Sequence, residues 1–372
     1  MSKALPAAII GVGGFGGVIL RALQKCPEVE LVGLADRDAA LAAKTAAATG
    51  LRAYSDNRSL LAEARPAAVF LCVPPMAAPD LVALCAERGI HVWKEMPLAR
   101  NLTEGAAMVR RMEKAGLKLA VGTQRRFAAG YRRAWQLRRR VGQVFLARAH
   151  YLFNWGPDLL WRGDKASAGG GALLELGYHP IDLLVWLMGL PDEVYGSIAG
   201  GKIPSAMPGA KGKLQPPYDT DDTAAALLRY SQQCVATVVT TRCSGPVSEE
   251  LSLHGQKGSL VASGEECLLR NPDGNILDQA SEQVSPLEIH TRQLGAFAKA
   301  VGQNSKWCEC SGLENLLNLV VIDAIYLSER TNQPEQPLRL LKTLDLTVDQ
   351  CLACRPPEQP DAPADAEPPP ED

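Results

Sequence analysis

The segment Gly11-Val12-Gly13-Gly14-Phe15-Gly16 constrains this chain more than any other part of it. It has the spacing G-x-G-x-x-G, it follows an apolar run at residues 7–10, and a helix-compatible stretch, 16–24, starts at its last glycine. Asp36 closes the next apolar run, residues 31–35, twenty positions beyond Gly16. Strand, glycine turn, helix, strand and a terminal carboxylate in that order are what a dinucleotide-binding unit requires. Gly11 permits the tight turn, Gly13 lets the backbone approach a pyrophosphate, and Gly16 lets helix and strand pack closely. Gly14 and Phe15 complete the turn, whose free N–H groups and positive dipole end suit a diphosphate. Asp36 is placed to accept hydrogen bonds from the adenosine ribose and to repel a 2′-phosphate, which favours NAD. Arg37 beside it tolerates that phosphate, so NADP stays open.

The same alternation continues through the first third. Strand-like runs at 68–73, 91–94 and 118–121 are separated by helical stretches at 80–88 and 103–114, and another helix is expected at 38–48. This predicts an α/β Rossmann domain with a doubly wound parallel sheet over residues 1–124. Beyond it the pattern changes to strands at 143–151, 193–197, 223–230, 234–241, 249–254 and 258–262. Ser231-Gln232-Gln233 and Gln256-Lys257-Gly258 read as hairpin turns. Residues 125–350 are therefore expected to form an α+β domain with a large open, mainly antiparallel sheet, covered on one face by helices at 173–188, 286–302 and 312–330. Residues 351–372, rich in Pro, Asp and Glu, are expected to be a disordered tail.

A formal net charge of -2 argues against a polyanion-binding surface, because neutralising phosphates needs excess Lys and Arg. The basic run from Arg132 to Arg140 is interrupted by Ala134, Trp135 and Leu137 and reads as one solvated helix face, so no nucleic-acid partner is expected. A spanning helix needs roughly 20 apolar residues, and no stretch of that kind or secretory leader is evident. The expected location is the cytoplasm, without a membrane partner, where the ten cysteines stay reduced. Cys351-x-x-Cys354 lacks a second ligand pair, so no metal site is expected.

Further motifs fall where ligands of such folds bind. Two strand ends carry Val73-Pro74-Pro75 and Lys94-Glu95-Met96-Pro97-Leu98; Gln124-Arg125-Arg126-Phe127 marks the domain crossover. The second domain holds Gly169-Gly170-Gly171, then Glu175, Gly177, Tyr178, His179, Pro180 and Asp182, and later Asp221-Asp222-Thr223-Ala224. This ordered set resembles the Gfo/Idh/MocA family, named for glucose–fructose oxidoreductase, inositol dehydrogenase and rhizopine catabolism. The likeness extends to about residue 345. It implies NAD(P)-dependent oxidation or reduction at a carbinol of a sugar, polyol or related molecule. It also implies cofactor contacts at Val73, Pro74, Glu95, Met96, Pro97 and Gln124.

The chain departs from that pattern at three places. Members usually carry E-K-P, where Met96 here replaces the Lys, and D-x-G-x-H, where Glu175 replaces the Asp; Ala78 stands where many have His. His179 matches the family's catalytic His, and carbinol oxidation asks for such a base independently. Glu175, four residues earlier, is expected to share a helical face with His179 and orient it. Because residues i and i+2 of a strand point to one side, Lys94 is expected to send its ammonium toward the place a Lys at 96 would fill. Arg162 and Lys165 are alternative cations, and Arg126, Arg162, Lys165, Tyr178 and Asp182 are taken as substrate-facing. Substrate choice is expected to come from the loops 154–165 and 203–219. Two other readings stay open: an NAD-binding but redox-silent sensor, and an NAD-assisted glycoside-cleaving enzyme. Apolar residues in the later strands, and the family likeness, predict a homodimer or homotetramer joined through the C-terminal sheet.

Overall fold

The computed structural model describes residues 4–200 and 218–356. The first sheet contains β1 (Leu5–Ile10), β2 (Val29–Ala35), β3 (Ala53–Tyr54), β4 (Ala68–Leu71), β5 (His91–Lys94) and β6 (Leu119–Val121). All pairings are parallel and the order is β3-β2-β1-β4-β5-β6. The strand order reverses between β1 and β4, and the crevice outside their carboxyl ends is where doubly wound sheets take ligands. Helices Phe15–Gln24, Ala39–Thr49, Ala78–Glu87 and Leu102–Lys114 make the crossovers. Asp38 and Asn101 cap two of them by accepting from the backbone N–H groups of Leu41 and Glu104. The two-residue β3 carries too little apolar pattern to be read from sequence.

The second sheet contains β7 (Val144–Asn154), β8 (Glu193–Ala199), β9 (Thr223–Ser231), β10 (Cys234–Thr241), β11 (Cys243–Gly255), β12 (Gly258–Ala262), β13 (Glu266–Arg270) and β14 (Ile276–Ser281). Its order is β14-β13-β12-β11-β7-β10-β9-β8, antiparallel throughout except for the parallel pair β7/β10. Both hairpin turns occur as expected, joining β9 to β10 and β11 to β12. Strands β13 and β14 were not foreseen. The edge strand β14 has no buried residue and so leaves no apolar alternation in the sequence.

Three expectations about the helices change. The stretch 173–188 is two helices, Ala172–Glu175 and Tyr178–Met188, broken at Leu176 and Gly177. The helix Pro286–Gly302 does not cover the antiparallel sheet. Its Leu294, Phe297 and Ala298 join Ile19, Leu23, Phe70 and Trp93 in the core of the first domain, so the chain returns to clamp the Rossmann unit. The region from residue 351 is not all tail. A helix, Val348–Leu352, buries Cys351, and Cys354 accepts from the backbone of Cys308. Residues 357–372, where a disordered tail was expected, lie outside the described residues. No helix among the described residues is long and apolar enough to cross a membrane.

Candidate active site

The glycine turn has the geometry its spacing predicts. Gly11 has φ 88°, and a Cβ there would lie 2.3 Å from the Cys72 carbonyl oxygen; one at Gly16 would lie 2.2 Å from that of Gly11. Close packing of strand, turn and helix therefore excludes any side chain at either position. Gly13 is different: its Cβ would meet only the Leu41 side chain, at 3.3 Å, and the residue is exposed with Gly14 and Phe15. The helix that follows has no side-chain cap. Gly16 and Gly17 donate back to the carbonyls of Gly13 and Gly14, while a Cβ on Gly14 would meet nothing within 4 Å, so the outer side of the turn is open in the way a pyrophosphate needs. Asp36 is anchored by Val12 N–H (2.8 Å) and Asp38 N–H (2.9 Å), one to each carboxylate oxygen. Each oxygen retains a lone pair for a ribose hydroxyl, while Arg37 beside it is exposed. These residues fit a nicotinamide dinucleotide. Gly13→Val is therefore expected to fold with a melting temperature close to the parent's and to lose NADH binding, read by NADH fluorescence. Gly11→Ala should instead fail to fold stably.

Around the crevice, Val73 and Pro74 are half-buried beyond the end of β4, and Glu95, Met96 and Pro97 follow β5. Gln124 is buried, and its Oε1 accepts no hydrogen bond from the described residues. Burial pushes the Glu95 carboxyl up to about 8 despite nearby Lys94. Lys94 itself does not reach into the cleft as expected. It is 2% exposed, and its ammonium turns back to donate to the carbonyls of Glu95 and Pro97. Burial also lowers it, to about 8. A lysine whose donors hold its own loop has little left for a ligand.

The segment that carries Glu175 and His179 is fixed from below by the glycine triplet. A Cβ on Gly171 would lie 2.0 Å from the Asp221 carbonyl oxygen, and the Asp221 carboxylate accepts from the N–H groups of Gly171 and Leu173. Tyr326 donates to the same carboxylate. This brace delivers Glu175 and His179 to one cleft, but not as a pair. The helix break separates them, and Glu175 instead accepts from Arg162 Nε. Burial raises the Glu175 carboxyl while Arg162 opposes the rise.

His179 lies edge-on to the Tyr151 ring, 5.3 Å between centroids, with Nδ1 free of any hydrogen bond from the described residues. Burial, then the charge of Arg125, then His290, hold its pKa well below the ordinary histidine value. His290 in turn packs on Phe15 of the glycine turn at 5.2 Å. Phe15 of the turn thus touches His290, whose charge is felt at His179.

Several residues of this cleft were not read as site residues from the sequence. Arg125 pairs with Glu249 at 2.6 Å and lies over the Tyr151 ring. Tyr151, Phe153 and Trp155 form a run of ring contacts along the end of β7. Their signal was present as aromatic residues at every second position of a strand, which places them on one side.

Three residues expected to face substrate are core residues. Arg126 donates to both oxygens of Asp182 (2.9 and 2.6 Å) and to Glu314 (2.6 Å), all three nearly fully buried. Asn318 donates to Asp182, and Tyr178 donates to Asn315 at 2.9 Å. Their polar atoms are consumed inside the domain, where they hold the helix Tyr178–Met188 that carries His179. Lys165 is exposed on another cavity, beside Arg100 and Arg330, of about 620 Å³. Of the expected substrate residues, Arg162 alone stands in the cleft beside Glu175. The loop positions 203–217 lie outside the described residues.

Comparison with known proteins agrees with this geometry. The family model described as an oxidoreductase family with an NAD-binding Rossmann fold matches residues 5–123, and the GFO/IDH/MocA C-terminal domain matches residues 131–261. Levoglucosan dehydrogenase of Pseudarthrobacter phenanthrenivorans is 26% identical over 62% of this chain and 64% of its own length. D-xylose 1-dehydrogenase (NADP(+)) 2 of Haloferax volcanii is 26% identical over 87% of this chain and 97% of its own. A crystal structure of levoglucosan dehydrogenase with NADH and levoglucosan shares the fold with a TM-score of 0.80 at 22% identity, covering 90% of this chain and 99% of that one. With the glycine turn, the Glu95–Pro97 strand end and the Glu175–His179 segment each in the family's order, the chain belongs to the Gfo/Idh/MocA oxidoreductases, a family with an NAD(P)-binding Rossmann domain and an α+β C-terminal domain.

Proposed function

We propose that this protein is an NAD-dependent dehydrogenase or reductase acting on a carbinol or carbonyl of a sugar, polyol or related small molecule. The observation that carries the reading is His179: an imidazole held neutral by burial and the charge of Arg125, edge-on to Tyr151, whose buried Nδ1 has no hydrogen-bond partner among the described residues. Gly11 to Gly16, Asp36, Val73, Pro74, Glu95 to Pro97 and Gln124 are the residues that would hold the cofactor. Bound there, NAD supplies a two-electron acceptor that takes the carbinol hydrogen as hydride. His179 accepts the hydroxyl proton, for which a neutral ring is already in the right state. The cleft's guanidinium groups are each balanced, Arg125 by Glu249 and Arg162 by Glu175, and burial favours the protonated form of Glu95. A site so balanced suits an uncharged polyhydroxy ligand better than a phosphorylated one. The named activities of the two curated relatives support the same class. The Asp36 carboxylate favours NAD over NADP.

The test is NADH binding by the purified protein, followed by absorbance change at 340 nm across a panel of polyols and sugars. Binding without turnover of any of them would favour the silent-sensor reading, whose support is Met96 at the usual lysine position. In that case Met96→Lys alone should create activity.

The C-terminal sheet supports self-association. Phe145, Tyr195, Leu227, Val235 and Val239 are each 39–51% exposed on strands β7 to β10. Leu227 pairs in register with Tyr195, and the outward residues of β9 and β10 alternate with buried ones, so they share one uncovered face. Such an apolar sheet face fits an isologous contact with a second copy. Leu227→Glu with Val235→Glu is expected to shift a dimer or tetramer to monomer in sedimentation at micromolar concentration, leaving secondary structure unchanged.

A further inference from the structure

Met96 leaves the cleft without the ammonium usual at that place, and Lys94 is turned away from it. We propose that Arg162 takes over that duty, the outer edge of its guanidinium donating hydrogen bonds to the oxygen of the reacting carbinol. This rests on the dehydrogenase reading and adds to it a catalytic residue from a different segment of the chain.

The backbone under Arg162 is pinned on several sides. It lies in the turn Leu160–Gly163; its N–H donates to Leu159, and its carbonyl accepts from Thr220 Oγ1 at 2.9 Å. Gly163 next to it has no room for a side chain, because a Cβ would lie 1.9 Å from the Tyr218 ring. The side chain is held as firmly. Trp155 and Trp161 lie 4.3 and 4.4 Å from the guanidinium carbon, and Nε donates to Glu175. Two indoles and one carboxylate thus fix the plane of the group. Its two Nη atoms make no hydrogen bond to the described residues, and the side chain keeps 20% exposure. A planar cation oriented on three sides and open on the fourth is prepared to meet an oxygen.

The position is also right. Glu95, which immediately precedes Met96, feels the charges of both Arg162 and Glu175. Glu175 lies within electrostatic reach of Tyr151, whose ring touches His179. Geometry links the two as well: Arg162 lies over Trp155, Trp155 meets Phe153, Phe153 stacks beside Tyr151, and Tyr151 meets His179. An arginine cannot give up its proton at ordinary pH, so it stabilises negative charge on the oxygen and leaves proton transfer to His179.

The test uses the full chain with Arg162→Ala, Arg162→Lys and the double variant Arg162→Ala/Met96→Lys, on a polyol or sugar that the parent oxidises. Arg162→Ala is expected to lower kcat by roughly 10²-fold or more, with NADH affinity nearly unchanged. Arg162→Lys should keep part of the rate. Met96→Lys should return at least about a tenth of the parent rate to the alanine variant, by restoring a cation from the other side. A second readout needs no turnover. Without Arg162 the Glu175 carboxyl rises further above its unfolded value, so the variant's melting temperature should fall relative to the parent's as pH increases from 4.5, and Met96→Lys should reduce that fall. An alanine variant with parental kcat overturns the proposal. So does a loss of rate that Met96→Lys leaves untouched, which would make Arg162 part of the pocket's framework only. A parent that binds NADH but turns over no carbinol overturns the dehydrogenase reading, and this inference with it.

Discussion

His179→Ala is expected to reduce kcat for carbinol oxidation by about 10²- to 10⁴-fold, the usual contribution of a positioned general base. NADH affinity should change little, because among the described residues the ring makes no hydrogen bond or ring contact with the glycine turn. The pH dependence adds a second check. An exposed histidine base would lose activity below about pH 6.5 as it protonates. His179 is held well below that value by burial and by Arg125. The acidic limb of kcat/KM should therefore lie below pH 6.5. Arg125→Gln removes the nearby charge and should move that limb upward. A limb at or above 6.5 in the parent, or an alanine variant with parental turnover, would assign the base to another group.

Arg126→Met should be the most destabilising single change in the C-terminal domain. It strands Asp182 and Glu314, each 1% exposed as a side chain, although Arg355 still reaches Glu314. Breaking a buried ion pair from one side costs about 3–5 kcal/mol, which for a domain of this size is a fall on the order of 10 °C in melting temperature. Adding Asp182→Leu should recover much of the loss, because the stranded carboxylate goes with its partner. If Arg126→Met melts with the parent, the network does not hold the helix that carries His179.

The Rossmann half was legible because its signals are local. The glycine spacing, the run of residues 31–35 and Asp36 each act within one strand–turn–helix unit, and the observed turn uses Gly11 and Gly16 as the spacing requires. Hairpins such as β9–β10 were legible for the same reason: turn residues lie between alternating strands. The errors share an opposite cause. Lys94 was placed by strand parity alone, but the chain leaves the strand after residue 94, and its ammonium is captured by the loop that follows. Glu175 and His179 were paired by helical spacing, and the break at Leu176 and Gly177 removed that spacing. Tyr178 and Asp182 neighbour His179 in sequence, yet their polar atoms are bonded inside the domain core.

By itself, the sequence determined the two-domain plan, the dinucleotide turn, the segment that carries His179 and Met96 at the place where the family resemblance implies a lysine. What only tertiary structure decided was which charges meet. Arg162 with Glu175, Arg125 with Glu249 and Arg126 with both Asp182 and Glu314 join residues 13, 124, 56 and 188 positions apart. Periodicity reaches only a few residues along one element. An arginine's partner depends instead on which elements the packed core brings together, and on burial that makes an unpaired charge too costly to leave.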